Sequence, residues 1–339
     1  MKLIRTVNAE GHILCHDLTR IVKGVSKGAA FRKGHIVTKE DIPKLLDMGK
    51  DQLYIWENDD TIFHENDAAE ILATLCGREH MRWSEVKEGK IDLYADIDGY
   101  FVSDTARLTA INSVDEIMIA TRHSGTPVRK GDKLAGTRII PLIISKEKLA
   151  KVQTTTGCEP LLKVIPYQKI KAAIITTGNE VFYGRITDTF GPVIVEKLAE
   201  YGVEVLAQKI VSDDPDFIKT GIQDVIAQGA QMVICTGGMS VDPDDRTPLA
   251  IKSTGATIIS YGAPVLPGAM FLMAYTSEGV PIMGLPGCVM YSKRTIFDIV
   301  LPRVLAGIPI DKEWLASRGN GGLCLDCDSC TYPHCGFGK

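Results

Sequence analysis

Three short runs combine glycine with hydroxyl or carboxyl side chains in a way that suits a phosphorylated ligand. They are Thr176-Thr177-Gly178-Asn179-Glu180, Cys235-Thr236-Gly237-Gly238-Met239-Ser240 and Gly284-Leu285-Pro286-Gly287, each closing an apolar stretch. Glycine lets the backbone approach a ligand closely, and exposed amides beside Thr or Ser hydroxyls can hold phosphate oxygens. One such loop is usually only a turn, whereas three at equivalent strand ends favour a site. Carboxylates sit beside them: Asp188 follows Gly184-Arg185-Ile186-Thr187, and Asp242-Pro243-Asp244-Asp245-Arg246 follows the glycine pair. For Asp213 and Asp214 the expected role is helix N-capping. For Asp188 and Asp245, capping and a Mg²⁺ role stand level. Magnesium takes one or two carboxylates and fills its shell with water and substrate phosphates.

A second chemistry lies near the C-terminal end. Of nine cysteines, four fall in the last sixteen residues as Cys324-x2-Cys327-x2-Cys330-x4-Cys335. This is close to the iron–sulfur run C-x2-C-x2-C-x3-C-P, while zinc with Cys₄ or Cys₃His is the competing centre, with His334 as a further ligand. Soft thiolates also bind molybdenum or copper in transit. The bland alternative is a Gly-rich tail with free thiols, led in by Gly319, Gly321 and Gly322; four thiols in so short a segment make it the weaker reading. Cys15, Cys76, Cys158, Cys235 and Cys288 are expected to be apolar fillers or chance surface thiols. A loop at a helix N-terminus would stabilise the Cys288 thiolate. His12, Cys15 and His16 do not share a strand face and read as structural.

The elements that must position these groups alternate. Apolar strands are expected over 169–178, 203–211, 231–238, 256–262, 270–276 and 280–287. Helices are expected from Thr189, capped by Asp188, to Tyr201; from the Asp213-Asp214-Pro215 start to Gly229; over 244–255; and from near Val289 to near Gly307. Such βαβα alternation implies an α/β/α fold: a mostly parallel sheet covered by helices on both faces. Its ligands bind beyond the carboxyl ends of the strands. The preceding chain reads as a smaller mixed α+β domain over 1–78, with strands at 12–22 and 51–57 and helices at 39–49 and 66–77, the latter capped by Asn66. A β-rich domain follows over 79–166. The α/β domain covers 167–310 and the Cys-rich tail 311–339.

At this point a resemblance becomes specific. Thr177-Gly178-Asn179-Glu180 resembles T-G-D-E, Gly184-Arg185-Ile186-Thr187-Asp188 resembles G-x-I-x-D, Thr236 through Asp245 resembles T-G-G-x-S-x-x-x-x-D, and Leu285-Pro286-Gly287 resembles L-P-G. In order and spacing these are similar to the molybdopterin-binding domain of molybdenum-cofactor biosynthesis enzymes. Residues 27–37 resemble, more loosely, the glycine-rich β segment of the molybdopterin molybdenumtransferases. The resemblance implies molybdopterin or adenylylated molybdopterin as ligand. It implies either adenylylation with Mg-ATP or Mg-dependent molybdate insertion with loss of AMP. Gly237-Gly238 would hold phosphate or pterin, Asp245 falls at the functional aspartate, and Asp188 at the first acidic position of the pocket. Thr177, Gly178, Asn179, Glu180, Thr236, Met239, Ser240, Asp242, Pro286 and Gly287 complete the implied binding set.

The departures concern molybdate. The insertases' P-G-K-P is Pro267-Gly268-Ala269-Met270 here, their L-P-G-N-P is Leu285-Pro286-Gly287-Cys288-Val289, and Asn179 replaces an acid. A buried oxyanion needs positive charge or several donors, which Ala269 does not supply. Lys293 or Arg294 would have to replace it, against their ordinary role in surface solvation. The rival readings are a non-catalytic molybdopterin carrier or sensor with a metal-binding tail, and a CinA-like nucleotide hydrolase with a similar domain.

Composition sets the limits. The 339 residues carry a formal net charge of −4, with 45% apolar and 24% charged side chains. That is ordinary for a globular protein and unlike a nucleic-acid or polybasic membrane binder. No apolar run approaches the ~20 residues of a membrane helix and no signal peptide is seen. A cytoplasmic homo-oligomer is the expectation.

Overall fold

The computed structural model describes residues 2–22, 26–55, 60–240 and 245–339. Contacts divide the chain into two compact units. One comprises Met1–Tyr94, Ser103–Arg122 and Lys133–Lys163; the other comprises Ala95–Val102, His123–Asp132 and Val164–Lys339.

The second unit is built on β1 (Lys171–Thr177), α1 (Asn179–Phe182), α2 (Phe190–Ala199), β2 (Glu204–Val211), α3 (Pro215–Ala227), β3 (Met232–Thr236), α4 (Thr247–Ser253), β4 (Thr257–Tyr261), β5 (Leu272–Tyr275), β6 (Pro281–Leu285), α5 (Ile296–Leu305) and α6 (Lys312–Ser317). The six strands form one sheet in the order β2-β1-β3-β6-β5-β4. The first four run parallel, and β5 lies antiparallel to both of its neighbours. Alternate residues of each strand point to opposite faces, and both faces are covered. Ala172, Ile174, Met232 and Ile234 pack with Ile194 and Leu198 of α2 and Phe297, Val300 and Leu301 of α5. Ala173, Ile175, Val233 and Cys235 pack with Ile218, Ile222 and Val225 of α3 and Ala250 and Ile251 of α4. The result is the expected three-layer α/β/α architecture.

β2 and β3 leave β1 on opposite sides, so the strand order switches at β1. In an open α/β sheet a ligand crevice forms there, outside the carboxyl ends. The register Ile174↔Ile234 and Thr176↔Thr236 brings the ends of β1 and β3 level.

Two local expectations change. The helix expected to be last starts at Ile296, not near Val289, and α6 follows it: Gly287–Met290 is a separate 3-10 turn, and a capping box between Thr295 and Asp298 sets the true start. The helix Glu65–Cys76 is capped by His64, whose ring accepts from the Asn66 N–H, rather than by Asn66.

The first unit contains a four-stranded sheet of Met81–Trp83, Lys90–Ala95, Lys133–Ile139 and Ile117–Thr121, in which Lys133–Ile139 runs antiparallel to Lys90–Ala95 and to Ile117–Thr121. Helices Glu65–Cys76, Thr105–Asn112 and Lys146–Thr156 accompany it. At its N-terminal end Lys2–Arg5 pairs with Gln52–Ile55 and Leu18–Val22 with Ser26–Phe31. No described helix is long and apolar enough to cross a membrane.

Candidate functional site

β1 ends at Thr177, and Gly178 turns the chain into α1 with φ 143°. β3 ends at Thr236, followed by Gly237 and Gly238 with φ 85° and 55°. A Cβ on Gly237 would collide with the Thr177 carbonyl oxygen, and one on Gly238 would lie 2.8 Å from Thr247 Oγ1. Only glycine meets both the left-handed backbone and the close approach. Thr247, at the start of α4, ties the turn down. Its Oγ1–H donates to the Gly237 carbonyl at 2.9 Å, its N–H to the Gly238 carbonyl at 3.2 Å, and its Oγ1 lies 3.2 Å from Thr177 Oγ1.

Asp188 knits the other wall. Its Oδ1 accepts from the Phe190 and Gly191 amides at 2.9 and 3.1 Å. Its Oδ2 accepts from Thr176 Oγ1 at 3.2 Å and Gln208 Nε2 at 2.9 Å. A carboxylate offers about four lone-pair sites, and these four donors occupy them. The carboxylate therefore joins the first turn of α2 to β1 and β2. Asp213 and Asp214 part company. Asp214 caps α3 through the Asp216 and Phe217 amides. Asp213, against expectation, accepts from the Asn179 N–H at 2.8 Å, and its own N–H donates to Asn179 Oδ1 at 3.4 Å.

These groups enclose a cavity of about 650 Å³. Thr177, Gly178, Asn179, Glu180, Asp188, Gly237, Gly238 and Asp245 all line it, joined by Thr176 and Asp213. Four of its lining residues are carboxylates (Glu180, Asp188, Asp213 and Asp245), and among the described residues that line it none is Lys or Arg.

Other expected residues are not gathered here. Thr236 is fully buried, and its hydroxyl has no hydrogen-bond partner among the described residues. Met239 is 4% exposed and belongs to the core, where a Cβ on Gly284 would sit 2.5 Å from its Cε. Ser240 is exposed and its carbonyl accepts from the Tyr261 hydroxyl at 3.2 Å. Pro286 and Gly287 stay outside the cavity lining, although Met290 of the same turn contributes to it. Asp242 lies outside the described residues. Burial pushes the Cys288 thiol up, which agrees with a space-filling residue and not with a stabilised thiolate. Lys293 and Arg294 line a different cavity, and Arg294 pairs with Glu200 and Asp298 at 2.9 and 2.8 Å. That other cavity is also lined by Cys324, Cys327, Cys330 and Cys335. Among the described residues no group of three or more His, Cys, Asp or Glu side chains is arranged to hold a metal ion.

Gln208 and Thr247 are the site-building residues that sequence reasoning missed; Thr176 stood in the first glycine run without an assigned role, and Asp213 was read as a helix cap. The hydroxyl just before Pro248, at the start of a helix that follows a glycine turn, is the signal available for Thr247.

Residues 173–306 match the family described as a probable molybdopterin binding domain, and residues 3–57 match a domain of unknown function. A molybdenum cofactor biosynthesis bifunctional protein of Synechococcus elongatus is 36% identical over 85 residues, 25% of this chain and 27% of that protein. A molybdopterin molybdenumtransferase of the same organism is 26% identical over 166 residues, 46% of this chain and 39% of that protein. A CinA-like protein of Mycobacterium sp. (strain JLS) is 38% identical over 77 residues, 23% and 18% of the two chains. The match thus spans well under half the length of each of these relatives. The crystal structure of the molybdopterin biosynthesis enzyme MoaB from Thermus thermophilus aligns with a TM-score of 0.33 at 23% identity, covering 41% of this chain and 98% of that one.

Proposed function

We propose that this chain, which carries a molybdopterin-binding domain over residues 173–306, binds molybdopterin or adenylylated molybdopterin in the cavity at the carboxyl ends of β1 and β3. There it takes part in Mg²⁺-dependent molybdenum cofactor biosynthesis in the cytoplasm. The observation that carries this reading is the sign of the cavity. Four carboxylates line it together with the glycine turn and the Thr177 hydroxyl, without a lysine or arginine among its described lining. A phosphorylated ligand entering an acidic pocket needs a cation between the two sets of oxygens. Magnesium supplies that cation with one or two carboxylates and the ligand's own phosphates.

Within this reading the two candidate aspartates divide the work. Asp188, whose oxygens are taken by four donors, shapes the wall. Asp245, half-buried in the same cavity, carries Mg²⁺ and its bound waters, with Glu180 as the second carboxylate. Gly237 and Gly238 admit the phosphate or pterin edge against the backbone.

Adenylyl transfer from Mg-ATP, or holding the adenylylated product, fits better than molybdate insertion. Ala269 is exposed, and Lys293 and Arg294 line another cavity, so neither of these two cations takes the place of the insertases' lysine. Incubation of the full chain with molybdopterin and Mg-ATP is expected to release pyrophosphate and yield adenylylated molybdopterin. Asp245→Asn is expected to reduce this at least tenfold with an unchanged unfolding midpoint. Binding without turnover selects the carrier reading. Because a CinA-like relative is 38% identical over 77 residues, ADP-ribose and pyridine nucleotides belong in the same assay. Their hydrolysis, with no molybdopterin bound, overturns the proposal.

A further inference from the structure

The four clustered cysteines have no part in that reading, and their setting is specific. All four line one cavity of about 510 Å³, together with Lys293 and Arg294. The chain that carries them is a loop pinned at both ends. At one end Leu323 bridges to Leu266, and the Cys324 N–H donates to the Leu266 carbonyl at 2.8 Å. At the other, the Gly338 N–H donates to the Gly321 carbonyl at 2.9 Å, and Phe337 is 5% exposed in the core. Midway, the Tyr332 hydroxyl donates to the Asp298 carbonyl at 2.8 Å. Cys324 and Cys335 pack half-buried against the core, while Cys327 and Cys330 are exposed. Between the pinned ends, residues 324–336 form no helix or strand. The main chain there is not committed to a ladder, and much of the closure entropy of the loop is already met by the fold.

We propose that Cys324, Cys327, Cys330 and Cys335 ligate a [4Fe–4S] cluster in this cavity. Three cysteines two residues apart with a fourth shortly after follow the iron–sulfur run, lengthened by one residue, whereas zinc modules separate two ligand pairs by a longer stretch. His334, the alternative fourth ligand for zinc, does not line the cavity. The cavity, about 510 Å³, has room for a multi-atom centre. Without the cluster, no three of these thiols are grouped to hold a metal, so ligation must draw the exposed Cys327 and Cys330 inward toward the half-buried Cys324 and Cys335, each thiol losing its proton to solvent. Lys293 supplies positive charge beside a thiolate-ligated cluster, whereas Arg294 is already paired with Glu200 and Asp298. The proposal is independent of molybdopterin binding, because the two cavities share no lining residue.

The test is anaerobic reconstitution of the full chain with sulfide and equal amounts of ferrous and ferric iron, followed by iron, sulfide and zinc analysis. About four iron and four sulfide per chain are expected, with a broad visible absorption bleached by dithionite and protection of Cys327 and Cys330 from alkylation. The variant C327S/C330S, altered only at exposed positions, is expected to keep its far-UV circular dichroism and lose the cluster. Cys158→Ser, changing an exposed cysteine outside the cavity, is expected to retain it. Failure to take up iron and sulfide, preference for one zinc per chain, or unchanged iron content in C327S/C330S would overturn the assignment.

Discussion

At Thr236 the chain leaves the sheet with a hydroxyl that is fully enclosed and, among the described residues, unbonded. An unsatisfied buried polar group costs about 1–3 kcal/mol. Thr236→Val is therefore expected to leave stability unchanged or raise it by about 1 kcal/mol, as read by urea unfolding. A clear loss would mean that the hydroxyl has a partner. Gly237→Ala should behave oppositely, because a side chain in the left-handed region costs about 1–2 kcal/mol and its Cβ meets the Thr177 carbonyl. Cysteine chemistry separates by burial. Burial pushes the Cys76 and Cys235 thiols up to about 12, so little thiolate exists at neutral pH. Alkylation of the metal-free chain, mapped by mass spectrometry, is expected first at the exposed Cys158, Cys327 and Cys330 and last at Cys76 and Cys235. At this scale the sequence was legible where a residue type admits one use, as at Asp214 before Pro215. It was not legible where neighbours compete. Asp213 turns to Asn179, a pairing made 34 residues away.

At the scale of elements, the apolar strands and the glycine-terminated helices of the α/β unit were readable because each is buried on a defined face. Helices Thr105–Asn112 and Lys146–Thr156 were not. They bury only Ile111 in the first and Leu149, Val152 and Thr156 in the second, too little apolar surface to print a helical period. The late start of α5 was likewise hidden, since its capping box depends on Asp298 reaching back to Thr295. Asp298 also receives Lys197 of α2 at 2.8 Å, with both side chains less than a tenth exposed. Removing one member of a buried pair costs about 3–5 kcal/mol. Lys197→Met is expected to fall at the lower end, because Arg294 still reaches Asp298. A loss below about 1 kcal/mol in denaturant unfolding would show that this pin between α2 and α5 contributes little.

For the whole molecule, a net charge of −4 excluded a general polyanion binder and left open how a phosphorylated ligand is held. On the proposed reading the acidic cavity answers at the level of physical chemistry: the cation arrives with the ligand. That gives the account its most direct test, the equilibrium binding of molybdopterin to the full chain, titrated with and without Mg²⁺. The account predicts saturable one-to-one binding that weakens at least tenfold when Mg²⁺ is chelated, and weakens likewise in Asp245→Asn. Equal affinity with and without Mg²⁺, or no binding in either condition, would contradict it.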